Sequence, residues 1–121
     1  MLKIQWGRVI AGAVCLELAL IIVFVPLIAK YGVPTLGPFV TAGCLVFGFL
    51  VSWGFVRKVV ARHILHGTLM GILATLIYLG LGAFAPGGLA SIAAEYGVFT
   101  FVLANALRII GCIAGAMAAR R

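Results

Sequence analysis

Two side chains stand where charge is costly. Glu17 lies inside the first long apolar run of the chain and Arg108 inside the last, with Asn105 one helical turn before it. A charged group in hydrocarbon needs a partner or a wet cavity. Glu17 falls nine residues past Arg8, and Arg108 falls ten residues before Ala118. At ~1.5 Å per helical residue, both sit roughly 14 Å from the same boundary. They can therefore be level, and helices one and four, running antiparallel, can be neighbours. An ion pair would neutralise both charges, with Asn105 completing the hydrogen bonds. Two readings of the pair stand side by side. One is a device that fixes which helices pack. The other is a solute, proton or ion site, the usual role of an intramembrane ionisable group. Arginine stays charged, so Glu17 is the better proton carrier of the two.

The elements that must position these groups follow from composition. The 121 residues are 65% hydrophobic and 9% charged, whereas soluble domains carry about a quarter charged residues. A core of this size cannot hide so many apolar groups from water, so lipid is expected to cover them. Four runs, residues 9–29, 38–56, 67–85 and 96–118, match the ~20 residues that cross a ~30 Å hydrocarbon core. The expected fold is all-α, a single-domain integral membrane four-helix bundle. A cleaved signal peptide is the rival reading of the start. It would have a shorter apolar region ending in a small-x-small cleavage site, and Leu27-Ile28-Ala29-Lys30 supplies none. Residues 30–37 read as a loop, with Pro38 at the first position of the second helix. Pro86-Gly87-Gly88 ends the third. Residues 89–95 read as a short interfacial segment, with Ser91 capping the helix that follows.

Charge sets the expected orientation. Four spans place both termini on one side, with Lys3, Arg8, Arg57, Lys58, Arg62, Arg120 and Arg121, while the other side carries only Lys30. Seven against one puts both termini in the cytoplasm and the chain in the cytoplasmic membrane. Trp6 and Trp53 near the inner boundary, and Tyr31 and Tyr96 near the outer one, fit the same placement. The net charge of +7 does not point to nucleic acid, because the cations cluster at the ends of apolar runs.

Arg57, Lys58, Arg62 and His66 form a basic connector. Lys58, Arg62 and His66 recur every four positions, the spacing of a helical turn lying on anionic lipid headgroups. His63 and His66 have no carboxylate or cysteine near them in sequence, so no metal site is expected. Gly67 and Gly71 in the third run, and Gly111 and Gly115 in the fourth, are small-x-x-x-small pairs that let helices approach closely. They serve either a tight bundle or a dimer seam. Cys15, Cys44 and Cys112 form no C-x-x-C pair and read as small packing residues. Cys15 is two positions from Glu17 and faces nearly the opposite way. There is no glycine-rich phosphate loop, no Ser/His/Asp set and no paired carboxylate, so neither a cofactor nor an enzymatic activity is expected. The expected partners are the lipid bilayer and a second copy or another membrane protein.

The Trp-Gly-Arg-Val opening at Trp6, the Leu-His-Gly-Thr-Leu run from Leu65 and the Asn-Ala-Leu-Arg run ending at Arg108 resemble those of uncharacterised small four-span bacterial membrane proteins. That resemblance implies no activity. The length, four spans and Glu17 in the first are also similar to the small multidrug resistance transporters, in which a first-span glutamate is essential. Arg108, and the lack of that family's substrate-site aromatic residues, are departures from it. The leading expectation is a non-enzymatic interaction or membrane-organising module. The alternative is a small dimeric transporter that uses Glu17 as its coupling carboxylate.

Overall fold

The computed structural model describes residues 4–59 and 62–120. Lys3, Arg121 and the Tyr96 side chain, which enter the expected orientation, lie outside the described residues. The chain is all-α, with helices α1 (Trp6–Tyr31), α2 (Val33–Val56), α3 (His63–Ala83), α4 (Gly88–Tyr96) and α5 (Val98–Ala119). By length and composition, α1, α3, α5 and the Gly37–Val56 part of α2 are long and apolar enough to cross a membrane. In lipid every backbone polar group must be satisfied within the protein, and a helix does this within one segment.

The bundle therefore has a fifth, short helix beyond the four expected. Positive-φ glycines make its turns. Gly87 (φ 81°) and Gly88 (φ 67°) open α4, and Gly97 (φ 86°, ψ 137°) separates it from α5. L-residues with a Cβ rarely adopt these angles. Ser91 lies within α4 and caps nothing. A Cβ added to Gly82 would come 2.8 Å from Leu89 and 3.0 Å from Ile92, so α4 lies closely against the end of α3.

Two connections differ from expectation. The loop at residues 30–37 shrinks to Gly32 (φ 86°, ψ 158°), and α2 starts at Val33, which leaves Pro38 inside that helix. Among its described residues the basic connector turns at Arg57 and Lys58, bends at Val59 and is helical only from His63, where α3 starts. It closes with Arg62 in the left-handed region (φ 59°, ψ 45°) as the residue before α3.

Each long helix turns a stripe of small or apolar residues inward. In α1 the stripe is Val9, Ala13, Leu16 and Leu20; in α3 it includes Gly67, Met70, Gly71 and Ala74; in α5 it includes Gly111, Cys112, Gly115 and Ala116. These spacings of three and four residues follow the helical repeat. The opposite faces are apolar and exposed, as with Ile10, Val14, Leu18 and Ile22 on α1.

Around the ring, α1 packs on α2, α2 on α5, α5 on α3, and α3 on α1. Helices α1 and α5 sit across the longer diagonal and share no close backbone contact among the described residues. They are not neighbours, contrary to the expectation from their antiparallel sense.

The α2–α5 and α3–α5 contacts are built on glycine. A Cβ added to Gly111 would stand 2.5 Å from the Leu45 carbonyl oxygen, and one on Gly115 would collide with that of Phe49. A Cβ on Gly71 would stand 2.8 Å from Ile109 Cα, and one on Gly67 would be 2.7 Å from the Cys112 carbonyl oxygen. All four glycines singled out by spacing are thus used within the chain. Gly48 of α2 joins them, since a Cβ there would lie 3.1 Å from the Arg108 carbonyl oxygen.

Candidate functional site

The longer diagonal is bridged by charge. Glu17 faces inward from the middle of α1 because it shares that helix's buried face with Leu16 and Leu20. Arg108 faces inward from the middle of α5, one turn before Gly111 and Cys112. Only 4% of Glu17 and 3% of Arg108 remain exposed. Arg108 Nε lies 2.8 Å from Glu17 Oε1. The N–H is not aimed at that oxygen, and neither atom has a hydrogen-bond partner among the described residues. The contact is thus an ion pair held by proximity rather than by a directed hydrogen bond. Two backbones too far apart to touch are joined because glutamate and arginine are long enough to meet between them.

The guanidinium has further contacts. Its Nη1 donates to Asn105 Oδ1 at 2.7 Å, and Asn105 Nδ2 donates to the Phe101 carbonyl at 2.9 Å. Asn105 is therefore oriented by its own helix and presents its oxygen to the cation. Arg108 Cζ also lies 4.5 Å from the centroid of the Tyr78 ring on α3. A cation over an aromatic face gains from the ring quadrupole, more so when desolvated. Tyr78 in turn packs on Phe101, with ring centroids 6.1 Å apart. Sequence reading did not find Tyr78. The available signal was a lone tyrosine deep in an apolar run.

Space remains beside the pair. A cavity of about 40 Å³ lies between Thr41, Cys44, Phe101 and Arg108. A second, of about 90 Å³, is lined by Glu17, Leu20, Phe24, Val40, Tyr78 and Arg108. Both exceed the ~10–15 Å³ that one water needs. Toward the α5 C-terminus the packing closes, and Ser52 of α2, fully buried, donates its hydroxyl to the Cys112 carbonyl at 2.6 Å.

The connector residues do not act as one face. Arg57, Lys58 and Arg62 are exposed, and Arg57 Cζ lies 4.8 Å from the centroid of the Trp53 ring. His66 is 1% exposed and turned inward. The Gln5 backbone N–H donates to His66 Nε2 at 2.9 Å, and His66 Nδ1 lies 2.8 Å from the Arg62 carbonyl oxygen. The backbone donor requires Nε2 to accept, which places the proton on Nδ1, where it donates to the carbonyl. His66 thus ties the start of α1 to the start of α3 and is not available to a headgroup. No group of three or more potential metal ligands occurs among the described residues. Cys15 is exposed while Cys44 and Cys112 are buried, and all three are free thiols.

What these features define is a class: an all-α bundle with four helices apolar and long enough to cross a membrane, bridged at mid-height by the Glu17–Arg108 ion pair. No family model, curated protein or solved structure matches the chain.

Proposed function

We propose that this protein is a non-enzymatic, multi-pass module of the cytoplasmic membrane, with both termini and the Arg57-to-Arg62 connector on the cytoplasmic face. Its exposed apolar surface is offered to lipid, to a second copy or to another membrane protein. One observation carries this reading. The two charges at the centre are taken up by each other and by Asn105 and Tyr78, so the groups best suited to work on a solute are committed to holding helices together. The starts of α1 and α3 share one end with the ends of α2 and α5, as the Gln5–His66 bond and the Gly67–Ala116 and Gly115–Trp53 approaches indicate. Arg8, Arg57, Lys58, Arg62 and Arg120 gather at that end, which supports the orientation through the positive-inside rule. Labelling of single cysteines introduced at Arg62 and Gly87 tests it: opposite sides of the membrane are expected, and the same side for both would end the four-span arrangement.

A second reading, a small transporter using Glu17, draws on the two cavities that reach Arg108, one of which also reaches Glu17. Flux in liposomes separates the two. The module gives proton-coupled flux no greater than empty liposomes. Flux that Glu17→Gln abolishes would replace the module with the transporter.

A further inference from the structure

The groove between α1 and α2 has an apolar floor and a cationic rim. Half-buried Arg8 and exposed Lys58 stand at its mouth, and Cys15, Leu50, Gly54 and Phe55 line it, an open groove of about 470 Å³. It continues through Cys15 into a shallow apolar track along α1 formed by Ala11, Val14, Leu18 and Ile22. From Arg8 to Leu18 is ten residues, or ~15 Å of helix. That equals about half of the ~30 Å hydrocarbon core, the depth of one leaflet.

Among the described residues, the cations at the mouth have no ion-pair partner. The chain has nine lysines and arginines against two acids. One acid, Glu17, is committed to Arg108 at mid-height. The other, Glu95, is on α4 at the opposite end. Arg57, next to Lys58, is drawn over the Trp53 ring, whereas Arg8 and Lys58 line the groove without an ion-pair partner among the described residues. A ligand that suits this arrangement carries an anion at one end and an aliphatic chain about one leaflet long at the other.

We infer that the α1–α2 groove binds an anionic phospholipid, its phosphate held by Arg8 and Lys58 and one acyl chain laid along Cys15, Gly54, Leu50 and the exposed face of α1. The inference rests on the membrane placement proposed above. Gly54 supplies a selective probe, because a Cβ built on it meets nothing within 4 Å. A leucine there starts from open space and projects toward the groove that Gly54 lines.

The test is native mass spectrometry of the full chain in detergent with equimolar phosphatidylglycerol and phosphatidylcholine. The wild type retains phosphatidylglycerol in preference. Removing each cation weakens retention about fivefold, so Arg8→Gln with Lys58→Gln loses roughly 25-fold. Gly54→Leu loses retention of both lipids while its unfolding temperature stays at the wild-type value. Lys30→Gln, at the other end, changes nothing. Wild-type retention by the double variant or by Gly54→Leu overturns the site, as does an equal loss in Lys30→Gln, which would mean that net charge alone recruits lipid. Labelling at Arg62 and Gly87 is read on the same variants. Opposite sides together with unchanged lipid retention reject the groove and leave the membrane placement standing.

Discussion

The two halves of α5 solve the same packing problem in opposite ways. Residues 109–119 meet α2 and α3 through Gly111, Cys112, Gly115 and Ala116, and the backbones come so close that a single added carbon would strike a carbonyl oxygen. Residues 98–108 meet their surroundings mainly through side chains, Asn105, Arg108 and Phe101 with Tyr78 of α3, and two cavities lie between them. In lipid no hydrophobic force drives helices together, so association rests on close van der Waals packing or on polar contacts. One helix here uses the first in its second half and the second in its first half. The long polar side chains Arg108 and Asn105 fall in the first half, beside the cavities, whereas the second half admits only the short hydroxyl of Ser52.

The polar half is expected to give the largest response. Glu17→Gln and Arg108→Gln each leave the other charge buried without its partner, at a cost of roughly 3–5 kcal/mol. The double variant recovers much of that loss, since no lone charge remains. Thermal unfolding of all four proteins in one detergent measures the coupling. A coupling indistinguishable from zero would mean that the diagonal is not held by this pair, and the contrast between the halves would collapse.

Next in size comes the close-packed half. Gly111→Ala places a methyl group 2.5 Å from the Leu45 carbonyl oxygen. Backbone cannot swing aside as a side chain does, and overpacking costs about 1–3 kcal/mol. Gly80→Ala, where an added carbon meets nothing within 4 Å, is the matched control and is expected to be neutral or slightly stabilising. Equal unfolding temperatures for the Gly111 and Gly80 variants would show that close approach is not what holds this half.

The smallest effect tests whether that half is purely apolar. Ser52→Ala removes the hydroxyl bonded to the Cys112 carbonyl. A typical internal hydrogen bond contributes ~0.5–1.5 kcal/mol, so the unfolding temperature should fall modestly. A change as large as that of Arg108→Gln would place the polar lock at Ser52 instead.

Much of this was legible in the sequence, because the bilayer imposes simple rules. Run length located four of the five helices, and counting residues from the basic ends put Glu17 and Arg108 at one depth. The small-residue spacing found Gly67, Gly71, Gly111 and Gly115. The rest depends on what neither hydropathy nor spacing encodes. Periodicity gives the depth and face of a side chain but not which helices are adjacent, so the pair was expected between neighbours and instead spans a diagonal. His66 fitted a basic surface pattern by its spacing, yet its partners are backbone groups of Gln5 and Arg62, which no side-chain pattern announces. Gly32 turns the chain in one residue where the cluster of Gly32, Pro34 and Gly37 suggested eight. Ser52 and Tyr78 sat inside apolar runs, and only the neighbouring helices reveal what they hold.

The diagonal pair also imposes an order in time. Its two members are 91 residues apart (108 − 17). At ~5–20 residues per second of synthesis, α1 exists for roughly 5–20 s before Arg108 is made. During that interval its carboxyl lacks Arg108, the cation it meets in the folded bundle. Any product that stops short of Arg108 leaves Glu17 without this partner, so the completion of α5 is also what certifies α1.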